Sequence, residues 1–383
     1  MSAGLAALGG AALSHKEVAC RTGFRIGGVS VEVMGPADNG DVALVSSLEP
    51  FRSEIAAPDI TVHIERVAAL TDSPTPPQFD SGCTWRLYAR ELGAQFDFYI
   101  KGFTYKRLLI NEQFSRAQLQ MSEDAIAALG YSVPALDYPL DELLIMHRLT
   151  QEKAIELHGC GIVRADGIGN LFVGHSGAGK STTTRLWTVR EDVEVLSDDR
   201  IIVRRDDAPD HSLVTKMPRL ASSSGEGKGI LRLRNQSASP TGCFAQDDKT
   251  KQQVPRSARN DRNYSIRNGK ESFARNDEAK SDKNKIRMYG TPWHGEAMYA
   301  SPNSAPLAQI FILEHGHGNV LTPLSPSQAV AELFARSFVP FHRHEYVDSA
   351  LQFLQEVVDT VPVYRYAFEP DQRAVDTILN LHD

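Results

Sequence analysis

The sequence predicts an α/β protein built on a mixed sheet, with a smaller β-rich module at its N-terminal end. Three observations carry that expectation. Short alternating segments run between Phe24 and Ile110, apolar residues recur at helical spacing over 139–153, and an apolar strand at Gly169–Val173 passes through a glycine-rich turn into a helix-like stretch. The chain has 383 residues, enough for two domains and a sizeable core.

The elements follow in order. Met1–Ser14 is small and apolar but lacks a basic start, and Gly4, Gly9 and Gly10 interrupt its apolar run, so 1–22 is expected to be a flexible tail rather than a secretory signal. From Phe24 to Val33 the pattern alternates, and the turn-rich Gly35–Gly40 follows. Asp59–Glu65, Thr84–Arg90, Ala94–Ile100 and Thr104–Ile110 repeat the strand period, with a proline-rich connector over Thr71–Phe79. Residues 23–150 are thus expected to form a β-rich domain, and 151–383 a second one. Near the boundary, Asp137-Tyr138-Pro139 starts a helix whose apolar positions are Leu140, Leu143, Leu144, Met146 and Leu149. Ala154–Gly159 and Gly169–Val173 are expected to be strands around a turn at Asp166-Gly167. Over about 235–287 apolar residues nearly vanish, so this stretch is expected to be a disordered insert, its alternative being a patch for nucleic acid or an acidic partner.

Charge narrows the function classes. The chain carries 48 acidic and 41 basic residues, a formal charge of -7, which argues against nucleic acid as a bulk partner. Asp247–Arg287 alone holds 12 basic and 7 acidic residues, so the remainder has 29 basic against 41 acidic, a formal -12. No apolar run approaches the roughly 20 residues needed to cross a bilayer, so no membrane partner is expected. Cys20, Cys83, Cys160 and Cys243 are far apart and form no CxxC pair, so neither a zinc site nor a disulfide framework is expected. A cytoplasmic location fits that usage.

Gly174-His175-Ser176-Gly177-Ala178-Gly179-Lys180-Ser181 satisfies G-x-x-x-x-G-K-[ST] between an apolar strand and the helix-like Thr182–Val189. Glycines let successive backbone N–H groups turn toward phosphate oxygens, and the helix start adds its positive dipole end. In such a loop Lys180 neutralises phosphate charge and the Ser181 hydroxyl coordinates Mg²⁺. Val193–Ser197 is a second apolar strand, ending in Asp198-Asp199. One carboxylate there can hold the metal while its neighbour takes a proton from an attacking hydroxyl. A turn whose two aspartates cap backbone N–H groups is the alternative. His158 stands at the end of the preceding strand, either near the phosphates or as a turn histidine, and Cys160 reads as a small buried residue rather than a nucleophile.

Leu157-His158-Gly159, the glycine-rich loop and Ser197-Asp198-Asp199, taken together, resemble the catalytic core of HPr kinase/phosphorylase, strongly over about 150–205 and weakly elsewhere. The resemblance implies a P-loop kinase core of the HPr kinase/phosphoenolpyruvate carboxykinase-like type, with ATP and Mg²⁺ as cofactors. It also implies phosphoryl transfer to a seryl hydroxyl of a peptide or small protein, and homo-oligomers. Carried over by position, it places residues 174–182, Thr182 included, around ATP, with Lys180 on the phosphates, Asp198 as base, Ser181 and Asp199 on the metal, and His158 close by. Two departures stand out: His175 takes the place of a usual acidic residue, and the family's Leu-Glu-x-Arg-Gly signature is absent. At about that place Met288–Glu296 resembles a segment of HPr-kinase-like proteins, some linked to peptide natural products. There Glu296 is a candidate metal contact or a turn cap, and Trp293 either packs on nucleotide or is buried. Arg336, His342, Arg343 and His344 around Phe338–Phe341 offer phosphate-facing charge or form a solvated loop. The alternative function is a nucleotide-binding regulatory or peptide-presenting module without transfer.

Overall fold

A glycine pair opens the first sheet. β1 (Cys20–Ile26) and β2 (Val29–Gly35) form a hairpin through Gly27 and Gly28, whose φ values of +58° and +81° suit a tight primed turn. A Cβ on Gly27 would lie 2.5 Å from Ile202 Cδ1, so the turn can press on its neighbour only without side chains. The alternating stretch expected at 24–33 is therefore two strands, not one. The computed structural model describes residues 20–36, 42–206 and 286–382. The tail expected over 1–22 lies outside them up to residue 19, while Cys20, Arg21 and Thr22 pair with Gly35, Met34 and Val33 as the start of β1. The insert expected at 235–287 also lies outside them, except for its last two residues.

β3 (Ile60–Val67), β4 (Phe79–Asp80), β5 (Trp85–Arg90), β6 (Gly93–Ile100), β7 (Phe103–Ile110) and β8 (Arg116–Ser122) complete the first sheet. Its order is β1-β2-β3-β8-β7-β6-β5-β4, with β3 parallel to both of its neighbours. α1 (Glu123–Leu129) follows; the Ser122 hydroxyl accepts from the Ala125 N–H, and Gly130 at φ +74° ends the helix. α2 (Leu140–Leu149) then places Leu140, Leu143, Leu144 and Leu149 in the core.

The second sheet begins with β9 (Ala154–Val163) and β10 (Gly169–Val173), which leads through the glycine-rich loop into α3 (Lys180–Trp187). β11 (Glu194–Ser197), β12 (Arg200–Arg205) and β13 (Ile286–Tyr289) follow. β13 takes up Ile286 and Arg287, which pair with Arg205 and Arg204 rather than belonging to an insert. β14 (Ser304–His315), β15 (Val320–Pro323), α4 (Pro326–Phe334), β16 (Ser337–Phe338), α5 (His344–Thr360), β17 (Val363–Phe368) and α6 (Arg373–Leu379) close the chain. The pairings β10-β9-β12-β13-β14 return to β10, since β10 also runs parallel to β14, so these five strands close into a barrel. The architecture is mixed α/β, with mixed sheets.

One apolar core runs from Phe24, Val31 and Leu119 through α2 to Leu157 and Ile202, uniting the two sheets. A second cluster, Phe172, Trp187, Phe311, Tyr366, Phe368 and Ile378, lies under α3. Cys160 is a free thiol, whereas Cys83 is disulfide-bonded, against the expectation from spacing. Among the described residues no helix is long and apolar enough to cross a membrane.

Candidate functional site

β9 is the spine of the site. On one side Val173 pairs with Gly159, and the Gly174 N–H donates to the His158 carbonyl at 3.3 Å. On the other side Arg200 pairs with His158, and the Gly159 N–H donates to the Asp199 carbonyl at 3.0 Å. The glycine-rich loop and the two aspartates, far apart in sequence, therefore flank the same two residues.

The loop is held from below. A Cβ on Gly179, where φ is +106°, would lie 2.6 Å from Phe368 Cζ, so the aromatic cluster requires glycine there. At the loop's other end a Cβ on Gly174 would meet Ala178 Cβ at 2.7 Å. The His315 imidazole donates from Nε2 to the Gly177 carbonyl at 2.7 Å; a carbonyl only accepts, which fixes the tautomer. His175, Ser176, Gly177 and Ser181 are exposed, Ala178, Gly179 and Thr182 half-buried.

Lys180 is buried and folded back beneath the loop, its Nζ donating to the carbonyls of Gly174 at 3.0 Å and His175 at 3.2 Å. Burial pushes its ammonium below the usual lysine range, against the opposing pull of Asp199 and Asp198. A phosphate would offer this ammonium charged acceptors in place of two neutral carbonyls. Cys160 sits behind it, and burial pushes that thiol up to about 12, as suits a packed side chain rather than a nucleophile.

The two aspartates do different things. Asp198 is 2% exposed, and its two oxygens accept from the backbone N–H groups of Gly295 and Ala297, both at 2.9 Å. Asp199 is less buried; its Oδ1 meets His158 Nε2 at 3.0 Å and its Oδ2 accepts from Arg200. Burial raises the Asp199 carboxyl, but the His158 hydrogen bond and the Arg200 charge outweigh it and hold the group below the usual carboxylate range.

The remaining sequence candidates scatter. Glu296 is exposed between the two amides that grip Asp198. Trp293 is buried, beside Asp141, so the packed reading holds. The Arg336 side chain pairs with Glu332, although its carbonyl accepts from the His158 N–H at 2.8 Å; Arg343 lies over Tyr346, and His342 lies 5.2 Å from His147. Phe338 does reach the site, 6.0 Å from the His158 ring and 4.3 Å from the Arg200 guanidinium.

Sequence reasoning missed Arg200, Glu142, Glu156 and His315. Arg200 and Glu156 are charges inside otherwise apolar strands, Arg200–Val203 and Ala154–Leu157, and that contrast was the available signal. For a divalent cation the residues supply hard oxygen donors in the Ser181 hydroxyl and the Asp199 carboxylate. Among the described residues no group of three or more His, Cys, Asp or Glu side chains could hold a metal alone. Mg²⁺ does not need one, since it keeps several waters and binds through one or two carboxylates plus substrate phosphates. No family model matches the sequence, and no curated protein matches it.

Proposed function

We propose that this protein is an ATP- and Mg²⁺-dependent kinase that transfers the γ-phosphoryl group to a seryl hydroxyl of a peptide or small protein, in the manner of the HPr kinases it resembles. One observation carries the reading: the glycine-rich loop with Lys180 beneath it and the Asp199–His158 pair flank the same two residues of β9. Phosphoryl transfer asks mainly for positioning and charge stabilisation, and this arrangement offers both. Backbone N–H groups and Lys180 would hold the phosphates, and the Ser181 hydroxyl would hold Mg²⁺, which supplies charge neutralisation when bound.

The proton acceptor is assigned here to Asp199, backed by His158. The sequence reading gave that role to Asp198. Asp198 is almost unexposed and holds the amides of Gly295 and Ala297, which suits it to anchoring the 295–297 segment, whereas Asp199 is the more exposed of the two and faces His158.

The second reading is a nucleotide-dependent module without transfer. What favours it is that Lys180, Asp198 and Asp199 are all engaged by internal partners. One experiment separates the readings: titrate Mg·ATP into the full chain and its Lys180→Ala variant, then assay labelled γ-phosphate on a seryl peptide library. Binding lost in the variant together with labelled peptide supports the kinase. Binding without labelled peptide supports the module, and no binding by the parent chain overturns both.

A further inference from the structure

Asp199 is held by two hands. His158 takes Oδ1 and Arg200 takes Oδ2, so both the position and the ring-like rotation of the carboxylate are fixed. Arg200 is itself almost enclosed. Its Nε donates to Glu142 Oε1 and lies 3.4 Å from Glu156 Oε1, and the Phe338 ring covers its face at 4.3 Å from the guanidinium carbon. Arg200 is 8% exposed, Glu142 7% and Glu156 0%. Glu156 stands two residues before His158 on β9, hence on the same face of the strand. Glu142 comes from the first turn of α2, before the sheet that bears the site begins.

Such a cluster is a poor way to gain stability. Taking charges from water costs several kcal/mol per ion, and well-packed apolar residues of similar size often do as well or better. Burial also lifts the Glu156 carboxyl well above its ordinary range, and the guanidinium donates to the carboxylates of Glu142 and Asp199. Each is bound by a different nitrogen of one rigid fork, Nε for Glu142 and Nη1 for Asp199. Glu142 therefore sets where the fork sits, and the fork sets where Asp199 points.

We propose that Glu142 and Arg200 are positioning residues: Glu142 on α2 fixes the Arg200 guanidinium, which fixes the Asp199 carboxylate against His158 beside the glycine-rich loop. α2 then supplies part of the site. What Asp199 does once positioned rests on the kinase reading above; where it points does not.

The test uses the full chain and two readouts. The crystal structure of Glu142→Gln, without nucleotide, is expected to show the Arg200–Asp199 contact broken and Asp199 turned from His158. Single-turnover transfer by the same variant is expected to fall about ten- to a hundredfold, with metal-free ATP affinity within about twofold of the parent, and Glu142→Asp is expected to recover part of the loss. If Glu142→Gln does not fold, Arg200→Lys, which keeps the charge but not the fork, carries the same expectations. Both Asp199 contacts intact in the variant crystal would overturn the proposal, whatever the activity. A parent chain without transfer activity would overturn the kinase reading alone, because the crystal still decides the positioning. A broken contact with unchanged transfer would overturn the positioning role.

Discussion

His158 and Asp199 stand 41 residues apart in sequence, yet Nε2 of one meets Oδ1 of the other at 3.0 Å across the paired strands β9 and β12. Its neighbour Asp198 turns the other way and grips the amides of Gly295 and Ala297. The two should respond differently to the same change. Asp199→Asn is expected to lower phosphoryl transfer by about 10²- to 10⁴-fold with little effect on ATP affinity. Asp198→Asn turns an NH₂ toward one of two amide donors, so it is expected to destabilise the fold by about 1–3 kcal/mol. Single-turnover assays and thermal denaturation of both variants check this. Transfer lost in Asp198→Asn at full stability, and kept in Asp199→Asn, would return the base role to Asp198.

Gly179 meets the Phe368 ring where its own Cβ would stand, at a positive φ that side chains rarely adopt. Gly179→Ala is expected to cost about 1–3 kcal/mol through that overlap and to weaken nucleotide binding by displacing the loop. Phe368→Leu in the same chain should relieve the overlap but not the backbone strain, and so restore only part of both. Denaturant midpoints and nucleotide titrations of the single and double variants measure it. Full recovery in the double variant would show that the backbone carries no strain at this position.

What the sequence made legible was local. The strand, loop and helix around Lys180 lie within one contiguous stretch, and the expected strand at 169–173 is β10 without change. The alternating strands of the first sheet were legible wherever one face was less buried than the other, as in β7. β14 was not, because Ile310–Leu313 is apolar and buried on both faces, which erases the period that separates strand from helix. The contacts that define the site were hidden for another reason. Asp198 finds Gly295 across 97 residues, and Glu142 finds Arg200 across 58. No local pattern encodes such pairings; only a charge placed in an apolar strand hinted that something awaited it.

Asp141 stands beside Glu142 on α2 and is almost fully buried. Burial lifts its carboxyl from 3.8 to about 7, against the lowering effect of the Glu142 amide and Trp293. The folded state thus keeps a proton that the unfolded chain releases near pH 4. Its contribution favours folding at low pH and is lost as pH rises from about 4 to about 7, by of order 4 kcal/mol. Asp141→Asn removes this dependence, so the variant should gain stability relative to the parent as pH rises from 4.5 to 7.5. Urea midpoints at the two pH values measure the difference, and an unchanged gap would show that Asp141 ionises normally in the folded protein.

His147 shows the opposite sign on the same helix. Its Nδ1–H donates to the Leu143 carbonyl at 2.7 Å, and its ring is stacked on Phe114 at 4.9 Å, with His342 5.2 Å away. Burial, and then the neighbouring His342, push its pKa from 6.5 down to about 3, despite the Leu143 carbonyl. Between those values the unfolded chain takes up a proton that the folded one refuses. The stability present above pH 6.5 therefore falls as pH drops toward 3, by of order 5 kcal/mol. His147→Gln keeps a donor for Leu143 but does not titrate; it is expected to be less stable than the parent at pH 7.5 through lost packing, with that deficit shrinking or reversing at pH 4.5. Denaturation midpoints at both values decide it, since a purely packing role predicts the same deficit at each.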